Sequence, residues 1–197
     1  QIDVSMMDSQ VAWLTYQAAF YFATGQPPKR LGAAHPNLVP YQAFMCEDGK
    51  YLNLAVGSER IWERFYQGIH REDLGDNPDY ATNGDRVRNR DTLVPMLQEL
   101  FLTRPVNEWV ADLHQVSVPC GPINDLADVF ADPQVRHRGM EIALPHPSSK
   151  TPVELIASPI KMSETTPEYT HAPPTLGQHT AEVLGEILGL GADEVAA

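Results

Sequence analysis

One cysteine of the sequence stands in a setting that could support nucleophilic chemistry. Cys120 lies in the run Val118-Pro-Cys-Gly-Pro122, where two prolines and a glycine predict a tight turn. A cysteine nucleophile needs a neighbouring base that lowers the pKa of its thiol, and the sequence identifies no such base. The pattern therefore favours a small, buried turn cysteine over a catalytic thiol.

One carboxylate stands where it could transfer protons. Glu59 follows the second of two predicted strands, and catalytic acids and bases often lie on loops at strand ends. The same residue would occupy the first turn of the next predicted helix, where a negative charge complements the helix dipole. The helix-terminal role is favoured, and proton transfer stays an alternative.

A third group of candidates lies in the loop Gly32-Ala-Ala-His-Pro-Asn37. The side chains of His35 and Asn37 are able to hydrogen-bond a ligand. Turn formation before Pro36 and Pro40 would explain the same residues without a ligand. The residues alone leave these two interpretations open.

The other residues that could do chemistry form no known motif. None of the seven histidines has a partner at i, i+4 within a set of carboxylate ligands, so no zinc signature is present. Cys46 and Cys120 lack a Cys-x-x-Cys partner, and two cysteines cannot build a disulfide framework, so we expect a reducing, cytoplasmic location. The sequence also lacks glycine-rich nucleotide loops and the Gly-x-Ser-x-Gly elbow.

The net charge of the sequence limits its partners. At -12 it disfavours non-specific binding of nucleic acid, which needs clustered lysines and arginines. An anionic ligand would likewise need a local basic pocket, supplied by another chain segment. With 43% hydrophobic and 20% charged residues the composition is that of a globular protein, and no apolar stretch is long enough to cross a membrane.

The element that precedes the loop is a predicted helix over residues 5–23. Ser5 and Asp8 resemble a capping box at its start. Its large apolar side chains fall on nearly every face, as Trp13, Tyr16 and Phe22 illustrate. A helix of this kind is normally buried all round, so we expect it to pack against protein outside this chain's small domain.

The elements that follow the loop predict a small α+β unit. Asp48-Gly49 is typical of a hairpin turn, Ser58 of a helix N-cap, and Pro105 of the first turn of a helix. Pro95 predicts a bend or break in the second helix of the unit. The predicted elements are strands 41–45 and 51–56, a helix over 59–69, a helix from 85 to 101 and a helix over 105–113.

The C-terminal part predicts a second alternation of helices and strands. Gly189 is typical of a helix C-terminus and ends the last predicted helix. The predicted elements are a turn at 119–122, a helix over 125–131, a turn or helix from 132, strands 140–144 and 153–156, and a helix over 180–188.

Four stretches of the sequence, taken in their order and spacing, carry a resemblance to a known family. They are Ile2-Asp-Val-Ser-Met-Met-Asp8; His35-Pro-Asn-Leu-Val-Pro-Tyr-Gln42 with the Asp48-Gly49 hairpin; Val118-Pro-Cys-Gly-Pro-Ile-Asn124 with Asp132-Pro-Gln-Val135; and Ser158-Pro-Ile-Lys-Met-Ser163 with Leu176-Gly-Gln-His-Thr180. Together they resemble the class III coenzyme A transferase family, which also contains carnitine CoA-transferase-like proteins and alpha-methylacyl-CoA racemases. The resemblance spans almost the whole chain.

The resemblance implies an α/β fold with a discontinuous, Rossmann-like large domain, of which only the C-terminal portion is here, and a small α+β domain. It further implies an interlocked homodimer. By this resemblance residues 1–24 form a large-domain helix and residues 25–37 a linker and active-site loop. Residues 38–115 then form the small domain, and residues 116–197 return to the large domain.

The resemblance also implies a function, namely transfer of coenzyme A between carboxylic acids through an aspartyl anhydride and an aspartyl thioester. Asp3 and Asp8 do not match the motif of the nucleophilic aspartate, which is therefore expected upstream of Gln1. The acyl-CoA thioester is then a substrate, and no tightly bound cofactor or metal is implied. An alpha-methylacyl-CoA racemase-like isomerase and a non-catalytic assembly fragment are the two alternatives.

The substrate-binding residues that the resemblance implies are those of the mobile loop that closes over the intermediate in family members. In this sequence they are Gly32, Ala33, Ala34, His35, Pro36 and Asn37. Some members have a glycine run here and this sequence does not. Racemase members place an acidic residue near the position of Glu59.

Overall fold

The computed structural model describes residues 2–196, which divide after Ile123 into two compact units. The elements of the first unit are α1 Met6–Ala12, α2 Thr15–Thr24, β1 Tyr41–Met45, β2 Tyr51–Ala55, α3 Glu59–Gly68, α4 Asp73–Asp76, a 3₁₀ helix Pro78–Tyr80, α5 Asn83–Arg88, α6 Arg90–Phe101, α7 Val106–Gln115 and β3 Cys120–Ile123. Those of the second unit are α8 Leu126–Ala131, α9 Pro133–His137, β4 Glu141–Leu144, β5 Val153–Ile156, α10 Thr180–Leu188 and α11 Ala192–Ala196.

The first unit is built on a three-stranded antiparallel sheet in the order β1-β2-β3. The predicted hairpin is confirmed, and Gly49 adopts a φ of 74° in its turn, which favours glycine. The predicted turn at 119–122 is wrong, because Cys120 pairs with Leu54 and Pro122 with Leu52 along β2. A proline is tolerated in this strand because β3 is an edge strand.

The hydrophobic core of the chain lies between this sheet and helices α3, α6 and α7. Phe44 of β1, Phe65 of α3 and Phe101 of α6 are fully buried, and each stabilises the fold by roughly 1.5–3 kcal/mol relative to exposure. The indole N–H of Trp109 in α7 donates to the carbonyl of Phe101 at 3.1 Å. Among the described residues every buried apolar side chain except that of Ala157 lies between Val39 and Val118, so a single region carries the core.

Helix α3 starts as predicted, since the Ser58 side chain accepts a hydrogen bond from the Ile61 N–H. The single helix predicted from 85 to 101 is instead two helices, α5 and α6, which meet at Asn89. Pro95 lies inside α6 without ending it. The break therefore falls where Asn89 leaves helical geometry, with a φ of -99° and a ψ of 23°, and not at the proline.

The single helix predicted over residues 5–23 is also two helices, α1 and α2. Thr15 adopts a positive φ of 40°, which interrupts the helix between them. Ser5 does cap α1, because its side chain accepts from the Asp8 N–H. Neither helix contains a buried residue. Trp13 and Phe22 are each 80% exposed, so the predicted apolar faces find no cover within the described part of the chain.

The second unit contains two short capped helices and a hairpin. Asp125 caps α8 and Asp132 caps α9. The two predicted strands are present as β4 and β5, which pair antiparallel. Gly189 ends α10 with a φ of 69°, as expected of a helix C-terminus. Across both units, none of the helices in residues 2–196 combines the length and apolar character needed to cross a membrane.

Candidate functional site

The loop Gly32–Asn37 connects α2 to the sheet and is shaped by its own hydrogen bonds. The His35 N–H donates to the carbonyl of Tyr41 at 2.9 Å, and the two rings lie 5.3 Å apart. The Asn37 N–H donates to His35 Nδ1 at 3.0 Å. Because Nδ1 accepts this bond, a neutral His35 ring carries its proton on Nε2 and can donate from there to a carbonyl or carboxylate oxygen.

Two adjoining cavities of about 550 Å³ each lie between α2 and the segment 26–37. Both are lined by Tyr16, Gln17, Pro28, Lys29, Leu31 and Pro36. The exposed aromatic side chain of Phe20 also borders the first cavity, and His35 borders the second. The first cavity is lined mainly by apolar surface, and a cavity of this size and lining is typical of small-molecule sites.

The cavities carry little positive charge. Lys29 is the only lysine or arginine among their lining residues. An anionic ligand with several phosphate groups would need more cations than these residues supply. The geometry therefore fits the apolar part of a ligand better than a polyphosphate.

The rear of the loop is held by side chains from α5 and α6. The Asn83 side-chain amide donates to the carbonyl of Asn37 at 2.7 Å, and its oxygen accepts from the Val39 N–H at 3.2 Å. Arg90 Nη2 donates to the carbonyls of His35 and Pro36 at 2.7 Å and 2.9 Å. The main chain of the loop is thus tied to the helical part of the unit.

Arg86 is the one charged side chain that is fully buried among residues 2–196. Its guanidinium donates to the carbonyl of Val39 at 2.9 Å and to that of Tyr80 at 3.0 Å. It also donates to Glu59 Oε2 at 2.8 Å and lies 4.6 Å from the centre of the Trp62 ring. Burial lowers the pKa of Arg86, and the Glu59 carboxylate counteracts that effect.

Glu59, considered from the sequence as an acid or base, has both carboxylate oxygens engaged. Oε1 accepts from the Asn83 N–H at 2.7 Å and Oε2 accepts from Arg86. Glu59 does occupy the first turn of α3, as the favoured interpretation predicted. The Glu59 carboxylate therefore forms an ion pair with a buried guanidinium and caps the start of α5.

Cys120, the other candidate, lies in β3 and is half-buried. Burial raises the pKa of its thiol to about 11. A cysteine nucleophile needs the opposite shift, because the thiolate is the reactive form. His114 contacts the main-chain carbonyl of Cys120 through Nε2 at 3.0 Å and not the thiol. These features describe a structural cysteine.

The part of the chain that the structure describes contains no set of side chains that could bind a metal ion. No group of three or more histidine, cysteine, aspartate or glutamate side chains there could hold an ion. His179 instead pairs with Glu182 at 2.9 Å, one turn along α10.

Comparison with known proteins places these features in a family. The model of CoA-transferase family III matches residues 1–180. The chain belongs to CoA-transferase family III. Succinyl-CoA:glutarate CoA-transferase of Homo sapiens is 39% identical over 191 residues, which are 95% of this chain and 42% of that protein. Succinate--glutarate CoA-transferase of Agrobacterium fabrum is 36% identical, over 94% of this chain and 46% of its own length.

Solved structures agree with the family III assignment. A CAIB/BAIF family protein from Brucella suis has a TM-score of 0.79 at 35% identity, over 94% of this chain and 47% of that one. Rv3272 from M. tuberculosis has a TM-score of 0.74 at 20% identity, over 91% of this chain and 46% of that one, which shows the fold alone. The family III chain thus spans about half the length of the relatives that it matches.

The predicted loop and the residues that hold it meet at one place in this family III chain. The structure brings His35 and Asn37 together with Asn83 and Arg90, whereas Cys120 is engaged elsewhere, in β3. The sequence analysis did not single out Asn83, Arg86 or Arg90. The one available signal was the density of arginines in Asn83-Gly-Asp-Arg-Val-Arg-Asn-Arg90.

Proposed function

We propose that the complete protein transfers coenzyme A from an acyl-CoA to a free carboxylic acid, and that residues 1–197 supply its small domain and the loop beside the acyl group. The family assignment is the observation that carries this proposal. The names of three relatives, including succinyl-CoA:mesaconate CoA-transferase of Haloarcula hispanica, favour succinyl-CoA as donor and a short dicarboxylate as acceptor.

The proposed reaction is covalent. An aspartate carboxylate attacks the thioester carbonyl and expels the coenzyme A thiolate, which leaves a mixed anhydride. The thiolate then attacks the aspartyl carbonyl, forms an aspartyl thioester and releases the donor acid. The acceptor carboxylate attacks this thioester, expels the thiolate and forms a second mixed anhydride with the aspartate. The thiolate then attacks the acceptor carbonyl of that anhydride, which gives the new acyl-CoA and frees the aspartate. We place this aspartate in the portion of the relatives that the chain does not cover.

The proposed role of the loop Gly32–Asn37 is to exclude water from these intermediates, because an anhydride and a thioester both hydrolyse. Its position at two cavities, the first of mainly apolar lining, supports that role. A neutral His35 would donate from Nε2 to an acyl or carboxylate oxygen. The scarcity of basic residues in the cavities is consistent with a pantetheine or acyl ligand there and with phosphates bound by other segments.

The proposed architecture follows the resemblance, with a Rossmann-like large domain completed by a segment outside this chain and an interlocked homodimer. The exposed aromatic faces of α1 and α2 support it, since these helices need cover from other protein. Residues 124–196 support it as well, because they bury only Ala157 and therefore have little core of their own.

The racemase alternative is less well supported by the geometry. Proton exchange at the carbon beside a thioester needs a free acid and a free base. Glu59 is the acidic candidate for that position, and both of its oxygens are already bound by Asn83 and Arg86. The experiment below distinguishes the proposed transferase from the non-catalytic alternative.

The test compares the complete protein with residues 1–197 alone. Each is incubated with succinyl-CoA and glutarate, and glutaryl-CoA is measured by liquid chromatography. We expect turnover by the complete protein and none by the isolated chain. Robust turnover by the isolated chain would contradict the placement of the aspartate, and no turnover by the complete protein with any short dicarboxylate would contradict the proposed function.

The loop is tested in the complete protein with His35→Ala and Asn37→Ala. We expect a lower kcat or a larger fraction of acyl-CoA lost to hydrolysis, with the fold unchanged by circular dichroism. His137→Ala, an exposed histidine of α9, is the matched control. Kinetics like those of wild type in both loop variants would reduce the loop to a structural turn.

A further inference from the structure

The segment between α2 and β1 has two parts with different restraint. Among the described residues, the stretch 27–33 takes part in one backbone hydrogen bond, in which the carbonyl of Leu31 accepts from the N–H of the adjacent Ala34. Gly32, within that stretch, has a φ of 60° and no atom within 4 Å of where a Cβ would lie. The stretch 35–39 is held at nearly every residue. The front part, 27–33, is therefore free of restraint, and it adjoins the rear part, 35–39, which is held in place.

The restraint of the rear part comes from three side chains, two on α5 and one at the start of α6. Asn83 holds Asn37 and Val39, Arg86 holds Val39, and Arg90 holds His35 and Pro36, all through main-chain atoms. Main-chain contacts do not depend on which side chains the loop carries. They fix where the loop lies, while the His35 ring, whose Nδ1 accepts from the Asn37 N–H, still has Nε2 to offer a ligand.

Arg86 is in turn fixed from its other side. Glu59 binds both the guanidinium of Arg86 and the backbone N–H of Asn83, so one carboxylate connects two members of the set. Trp62 covers the guanidinium plane. A buried guanidinium with every contact satisfied is costly to move, because leaving any of these groups unpaired carries a desolvation penalty.

We propose that Asn83, Arg86 and Arg90 are positioning residues for the transferase reaction. They fix the backbone of His35–Val39, so that the free stretch 27–33 closes on the intermediate from a fixed position. This inference rests on the proposed function. It goes further in assigning the protection of the intermediate to side chains that lie outside the loop and touch no substrate.

Arg90 gives the sharpest test because a single nitrogen, Nη2, donates to both carbonyls. A lysine ammonium can make the same two bonds, whereas a methionine of similar length cannot. Arg90→Lys and Arg90→Met are therefore compared in the complete protein. Arg88→Met is the matched control, since Arg88 lies two residues away, is 71% exposed and pairs with Asp85 at the surface.

The decisive measurement is the ratio of acyl-CoA hydrolysis to acyl transfer, taken with kcat, KM and melting temperature. We expect Arg90→Met to raise this ratio on the order of 10-fold and to lower kcat more than it raises KM, because a displaced loop admits water to the intermediate. We expect Arg90→Lys to recover most of the loss and Arg88→Met to match wild type. Asn83→Ala provides a second variant and should act in the same direction.

Hydrogen exchange of the amides of residues 34–41 gives a readout that does not depend on activity. We expect faster exchange there in Arg90→Met and not in Arg88→Met. If wild type transfers no acyl group, the proposed function fails. Unchanged hydrogen exchange in Arg90→Met would separately show that Arg90 does not hold the backbone of the loop. An active Arg90→Met enzyme with a normal hydrolysis ratio, or equal losses in Arg90→Lys and Arg90→Met, would overturn the positioning role.

Discussion

The exposed aromatic side chains at the start of the chain predict that residues 1–197 alone will self-associate. Trp13, Tyr16, Phe20, Tyr21 and Phe22, here called the aromatic patch, have exposed fractions between 47% and 80%. With about 150–250 Å² for a whole aromatic side chain, the patch exposes roughly 600 Å². Summed over the faces of the two helices, that area is comparable to the largest apolar patches found on typical monomers.

The strength of the association follows from this area. If two chains each cover half of their patch, about 600 Å² leaves water, which at about 25 cal/mol per Å² stabilises the dimer by roughly 15 kcal/mol. Lost translational and rotational freedom and ordered side chains oppose this by roughly 7–10 kcal/mol. The net of roughly 5–8 kcal/mol corresponds to a Kd between about 200 µM and about 1 µM.

Sedimentation velocity and light scattering over about 1–100 µM measure this Kd. The double substitution Trp13→Ser and Phe22→Ser, at the two most exposed members, should weaken association at least about tenfold. Leu176→Ser is the control, because Leu176 is fully exposed in the other unit. A chain that stays at 21.9 kDa throughout, with Trp13 fluorescence shielded from a soluble quencher, would refute the reasoning.

Two further predictions concern the interior of the first unit. Since burial raises the pKa of the Cys120 thiol from 9.0 to about 11, its thiolate fraction near pH 8 falls about 100-fold, and iodoacetamide should label it about 100-fold more slowly than an unfolded control in urea. Labelling should accelerate as the pH approaches 11, and a rate equal to the urea control at pH 8 would contradict this. Phe101→Ala should destabilise the unit by about 3–5 kcal/mol in urea unfolding, because Phe101 is fully buried against Phe44 and Trp109. Leu102→Ala, at an exposed neighbour, should cost less than about 1 kcal/mol, and equal costs for the two would disagree with the core described above.

The parts of the fold that could be predicted from the sequence are those with local causes. The hairpin at Asp48-Gly49, the cap at Ser58 and the helix end at Gly189 each depend on residues within one turn of the chain. Pro-Cys-Gly-Pro resembles a turn locally, yet residues 120–123 form a strand because β2 supplies hydrogen bonds from far along the sequence. Local pattern could not reveal that partner.

The candidate site shows the same division. His35 and Asn37 could be proposed because their side chains can hydrogen-bond a ligand and because they lie in the loop that the family resemblance marks. Arg86 was not, since an arginine in a helix is exposed by default and only the meeting of Val39, Tyr80 and Glu59 around it makes burial favourable. Those three residues come from separate elements, and the fold alone brings them together.

The strand register has a consequence for how the sheet is connected to the rest of the chain. β1 begins at Tyr41 opposite Ala55, and β3 finishes at Ile123 opposite Tyr51, so the chain enters and leaves the sheet at opposite ends of β2. With about 3.4 Å per residue along a strand and about 4.8 Å between strands, these two points are roughly 16 Å apart. Inserted domains usually have neighbouring termini and can be excised with a short join. Here a replacement would have to bridge that gap with about five extended residues, so the sheet acts as a spacer in the path of the chain and not as a removable appendage.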